Sequence, residues 1–135
     1  MPTSRTSRSA LPTAAAAVLL LTAACASGPS GRDGSCGAPP EAVLPHTAGN
    51  LTETETGRYC LAVGEQLSVF LTAPEGHWAP VASSGPTVLT AVGSSMLTAP
   101  IGVTPALFRA ESAGTVRLTS ANGAGHDWQA TVVVR

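Results

Sequence analysis

Few residues of this chain could do chemistry. His126-Asp127 is a histidine–carboxylate neighbour pair, and His77 sits in a second turn-like stretch. With Ser94 or Ser95 they would supply the residue types of a serine hydrolase. No G-x-S-x-G elbow presents a serine, however, and nothing in the sequence builds an oxyanion hole. Two histidines and one aspartate could ligate a metal, but no close spacing supports it, so these residues read as solvated loop groups. The chain therefore reads as a non-enzyme with no cofactor and no metal. Glu53 and Glu55, separated by one threonine, read as a solvated face and not as a paired acid and base. Asn50-Leu51-Thr52 matches the glycosylation sequon by chance. Cys25, Cys36 and Cys60 make an odd count. In an exported protein that flags a free or intermolecular thiol.

Composition narrows the function classes further. The 135 residues carry seven Arg, no Lys and eight acids, a net charge of −1 that argues against a nucleic-acid partner. Charged residues are 11% and hydrophobic ones 44%, too apolar for a disordered chain. The length suits one ordinary domain.

The first residues read as an export signal. Arg5 and Arg8 form a basic start, and an uncharged stretch runs from Ser9 to Ala24 around the apolar Ala14–Leu21. That run is short of the ~20 residues a membrane-spanning helix needs. It ends in Leu21-Thr22-Ala23-Ala24-Cys25, which resembles the lipobox of bacterial lipoproteins. The resemblance implies cleavage after residue 24 and a diacylglycerol on the Cys25 thiol. Multiple acyl chains would hold the protein stably at the outer face of the cell membrane. With Cys25 consumed by lipid, Cys36 and Cys60 are left to pair as a disulfide in an oxidising compartment, the alternative being two reduced thiols. Residues 25–35, rich in Gly, Ser and Pro, read as a flexible tether.

Residues 36–135 must then position whatever acts. Short β-type runs alternate with Gly, Pro, Ser and Asn punctuation. An edge strand is expected near Glu41–Leu44. It is followed by Tyr59–Val63, Gln66–Thr72, Trp78–Ala82, Thr87–Val92, Ala106–Glu111, Thr115–Ser120 and Trp128–Val134. Ser112-Ala113-Gly114 reads as a hairpin turn, residues 121–127 as a wider one and residues 93–105 as a long loop. About seven short strands with no helical stripe predict an all-β, immunoglobulin-like sandwich. Trp78 is expected between the sheets, and Trp128 beside a binding loop.

The cadence from Val63 onward resembles bacterial immunoglobulin-like domains: V-G-E, a turn and Trp78, then Phe108, Ala110, Ala113, Gly114, Thr115 and Leu118, then a terminal valine-rich strand. It is also similar to chagasin-type inhibitors of papain-like cysteine proteases, which insert three loops into the protease cleft. Where that family has Asn-Pro-Thr-Thr-Gly-aromatic, this chain has Ala73-Pro74-Glu75-Gly76-His77-Trp78 and keeps the glycine and the aromatic. The second loop corresponds to residues 93–100, and near the third, an Arg-Pro-Trp, lies His126-Asp127-Trp128. The candidate contact residues are thus His77, Trp78, Met96, Leu97, Ile101, His126, Asp127 and Trp128. Their expected partner is an unknown protein or cell-envelope component. A binding or structural role is the main reading, with protease inhibition as the alternative.

Overall fold

A computed structural model describes residues 35–93 and 97–135. The leader, Cys25, nearly all of the tether, Ser94, Ser95 and Met96 lie outside the described residues. Eight strands are present: β1 (Gly49–Leu51), β2 (Arg58–Leu61), β3 (Gln66–Thr72), β4 (Ala82–Ser83), β5 (Leu89–Ala91), β6 (Val103–Ala110), β7 (Gly114–Asn122) and β8 (His126–Val134). They form two four-stranded sheets, ordered β1-β3-β6-β5 and β2-β8-β7-β4. The protein is an all-β sandwich, with no helix among the described residues.

Period-two alternation builds the core. On β7, Val116 and Leu118 turn inward while Thr115, Arg117 and Thr119 face out. On β8, Trp128, Ala130, Val132 and Val134 turn inward. They belong to the same buried cluster as Leu67, Val69, Leu71 and Phe108 of the other sheet, all at most 2% exposed except Val116 at 3%. Phe108, at 1%, and Trp128, at 2%, are its largest nearly sealed side chains.

Local chemistry moved several expected elements. No strand forms at Glu41–Leu44, where Pro39, Pro40 and Pro45 remove ladder donors. The edge strand is β1, farther along, and it pairs in parallel with β3. Gly49 is required there, because a Cβ would stand 2.3 Å from the Pro39 Cβ and 2.6 Å from the Pro40 carbonyl oxygen. The Trp78–Ala82 run is not a strand. Pro80 lacks a donor, and only a single bridge from Trp78 to Asn122 and the two-residue β4 remain. Conversely β6 starts at Val103, inside the expected loop. Pro105 is tolerated because it lies in the half of β6 that β5 does not reach. Ser112-Ala113-Gly114 closes no hairpin, since it carries the chain from β6 in one sheet to β7 in the other. The true hairpin is β7–β8, tighter than expected, with Asn122 opposite His126 and a tip of Gly123-Ala124-Gly125. Gly125 sits at φ 90°, as a three-residue glycine turn demands.

Cys36 and Cys60 form a disulfide with a Cα–Cα distance of 5.1 Å. Beside it, the Gly37 amide donates to Arg58 O (3.1 Å) and the Cys60 amide to Gly37 O (2.8 Å), so the incoming chain is laid along β2. Cys60 lies opposite Val133, near the end of β8, whereas the hairpin tip precedes His126. At ~3.3 Å per residue these two ends of the sandwich are about 20–25 Å apart.

Candidate functional site

Three loops meet at the end remote from the disulfide. Residues 73–78 follow β3, residues 97–102 lead into β6, and the β7–β8 tip completes the group. They are fastened through the backbone. The Ala73 amide donates to Gly102 O (2.9 Å), and the Thr104 hydroxyl donates to Trp78 O (3.0 Å). Trp78 bridges to Asn122, and a Cβ on Gly76 would lie 3.6 Å from Asn122 Oδ1. That same oxygen accepts the Ala124 amide at 3.0 Å, so one buried asparagine shapes the tip and supports its neighbour loop. Gly76 (φ 75°) and Gly102 (φ 86°) take backbone conformations that other residues adopt only under strain.

The two tryptophans lie beneath this end and do not face a ligand. Trp78 is buried, as expected of an inter-sheet ring, and its Nε1 donates to Thr72 O at 3.0 Å. The expectation for Trp128 is corrected: it is 2% exposed and no loop platform. Its Nε1 donates to both Thr52 O (3.1 Å) and Glu55 O (3.0 Å), fixing the connection between β1 and β2. A buried indole N–H needs such a partner, and here the partner is a turn that must be held in place.

Glu53 and Glu55 are likewise more than a solvated face. Glu53 Oε2 accepts the Thr72 amide at 2.9 Å. Glu55 Oε2 accepts the Thr52 amide at 2.7 Å and the Thr52 hydroxyl. Burial raises the Glu55 pKa, but the hydrogen bonds from Thr52 and Thr54 outweigh it and hold the carboxyl below its ordinary value. The sequon asparagine, Asn50, is buried and accepts the Ser68 hydroxyl at 2.8 Å, so it faces no modifying enzyme.

The polar candidates do not assemble into one centre. His77, His126 and Asp127 are all exposed. His126 and Asp127 stand on β8 itself and not in a loop, because the tight tip extends the strand to them. His126 borders a shallow depression of about 200 Å³ with Pro74, Glu75, Asn122 and Ala124. Asp127 borders a different one with Pro80, Ala82 and Gln129. Among the described residues no three His, Cys, Asp or Glu side chains group as metal ligands. Leu97 is half-buried, Ile101 is fully exposed in the turn that leads into β6, and Met96 lies outside the described residues. Pro74, Glu75, Asn122 and Thr104 complete this end. Pro74-Glu75-Gly76 and Asn122-Gly123 signalled their turns in the sequence, and Thr104 did not.

The end thus presents glycine and proline at its turns and, among the described residues, one fully exposed large aliphatic side chain, Ile101. No family model matches the chain, and no curated protein sequence does. Among solved structures it is similar to the cysteine protease inhibitor EhICP2 of Entamoeba histolytica, with TM-score 0.51 and 14% identity over 64% of this chain and 93% of that one. It also matches the solution structure of amebosin, with TM-score 0.42 and 15% identity over 68% of this chain and all of that one. The first likeness establishes the fold, a sandwich of the chagasin type.

Proposed function

We propose that this chain is an extracytoplasmic binding domain whose three-loop end enters the active-site cleft of a papain-like cysteine protease and blocks it. The observation that carries this reading is the convergence of the three loops, tied by the Ala73 amide to Gly102 O, by the Thr104 hydroxyl to Trp78 O and by the Trp78–Asn122 bridge, at the end opposite Cys36. The chagasin-type fold supports it, as does the similar structure of a protein that is itself a cysteine protease inhibitor. A cleft-filling surface gains affinity when its backbone is already in the bound shape, because little ordering entropy remains to be lost. Gly76 and Pro74 keep the first loop thin, and Ile101 supplies apolar contact.

Anchoring fits the same geometry. With lipid on Cys25 at the outer face of the membrane, the chain would join the sandwich at Cys36, and the loop end would point away from the bilayer. Cys25→Ser should then move the protein from the membrane fraction to the soluble one. Retention of the variant in membranes would contradict lipidation.

The inhibitor reading is tested by titrating the full chain, in neutral detergent, into papain with a fluorogenic peptide substrate. Competitive inhibition is expected, with binding lost when the protease cleft is already occupied by a peptidyl inhibitor. A second reading, a non-inhibitory module for a cell-envelope partner, is favoured by one observation. Ala73-Pro74-Glu75-Gly76 stands where the chagasin type carries Asn-Pro-Thr-Thr-Gly. Absence of inhibition at micromolar concentrations would select that second reading.

A further inference from the structure

The outer face of the β2-β8-β7-β4 sheet holds an unusual pair of cations. Arg58 on β2 and Arg117 on β7 are both in register with Thr131 of the intervening β8. Two strand spacings separate them, so their Cα atoms lie about 10 Å apart on one row. Both line a depression of about 570 Å³ together with Ser84, Thr115, Thr119 and Thr131. Among the described residues no acid lines it, and neither arginine makes an ion pair. The remaining described arginines are occupied: Arg109 lies 3.9 Å from Glu111, and Arg135 donates to the Cys60 sulfur at 3.2 Å. Arg58 Nε is moreover buried with no hydrogen-bond partner.

A chain of net charge −1 that sets two like charges side by side, with one N–H buried and unpaired, carries an electrostatic cost unless something anionic offsets it. Arginine forks suit the oxygens of phosphate, which two guanidinium groups can grip from opposite sides, with threonine hydroxyls taking further oxygens. We propose that this depression binds a phosphate group, with Arg58 and Arg117 closing on it above Thr131. The site lies on a sheet face and does not depend on the three-loop end. Inorganic phosphate and the phosphodiester of a lipid headgroup share the required chemistry.

The full chain in neutral detergent is titrated with inorganic phosphate, with dihexanoyl-phosphatidylglycerol, and with chloride at matched ionic strength, while the Arg117 and Thr131 amide resonances are followed. Saturable phosphate-dependent shifts are expected, at least tenfold weaker in Arg58→Gln and in Arg117→Gln. Tighter binding of the glycerolipid assigns the site to a headgroup, and equal or tighter binding of inorganic phosphate assigns it to the free anion. Shifts no different from those with chloride, or unchanged in both variants, overturn the proposal. Arg117 is exposed, so its variant keeps the test decisive even if Arg58→Gln does not fold.

Discussion

The two ends of the sandwich are closed by opposite means. At one, a covalent bond between Cys36 and Cys60 ties the incoming chain to β2. At the other, no covalent tie exists among the described residues. Two indole N–H groups, two glutamate carboxylates and the Asn122 amide oxygen bond backbone atoms of the β1–β2 connection, of Thr72 at the end of β3 and of the β7–β8 tip. The difference is instructive. A disulfide fixes where a segment starts, at the expense of using its side chains. Bonds from buried side chains to backbone atoms fix the path of a loop and leave its own side chains free to face a partner. The second arrangement is what a recognition surface needs.

The largest test of that contrast is Trp128→Ala. Emptying this site should cost about 3–5 kcal/mol, read by circular dichroism across a urea series. Trp128→Phe separates ring from N–H, because it keeps much of the volume and abandons Thr52 O and Glu55 O. It should lose about 1–3 kcal/mol. A Phe variant as stable as the parent would show that the indole bonds do not hold the turn. Next comes Cys36→Ser with Cys60→Ser, which should cost about 3 kcal/mol by loss of the chain-entropy constraint. Amide exchange should then rise near Gly37 and β2 and stay unchanged in residues 73–78. Equal loosening of both ends would erase the distinction between them.

The smallest effect is electrostatic. Glu55 has a folded-state pKa below its ordinary value of 4.5, so its contribution is complete above that value and fades as pH falls through the lower folded one. Glu55→Gln should therefore flatten the acid side of the stability–pH curve and leave neutral pH less affected. An unchanged acid limb in the variant would deny Glu55 its clamping role.

The sequence carried the frame of this molecule better than its site. Gln66–Thr72 was legible to the residue, because an alternating run stood between Gly64-Glu65 and Pro74. The cysteine pairing followed from the lipobox resemblance, since lipid accounts for the third thiol. The Trp78–Ala82 stretch misled because its aromatic and apolar residues suit a strand, while Pro80 and the twist of the chain across the end deny it a ladder. His126 and Asp127 were expected in a loop, since nothing local shows that three residues suffice to turn β7 into β8. Glu53, Glu55, Arg58 and Arg117 were not legible as structural or binding groups. Glu53 meets Thr72 only through the pairing of β1 with β3, Glu55 meets Thr52 within one short turn, and strand register alone sets Arg58 and Arg117 on one row.

The central claim is that the loop end, and not the disulfide end, recognises a protease. Among the described residues, Ile101 is 101% exposed in the loop between β5 and β6, whereas Val63 at 53% and Val43 at 63% are exposed in the segments nearer the disulfide. Papain inhibition constants for the parent chain, Ile101→Asp and Val63→Asp test the claim directly. Ile101→Asp should weaken inhibition at least tenfold, with Val63→Asp equal to the parent. Equal inhibition by both variants, a greater loss in Val63→Asp, or no inhibition by the parent chain would contradict it.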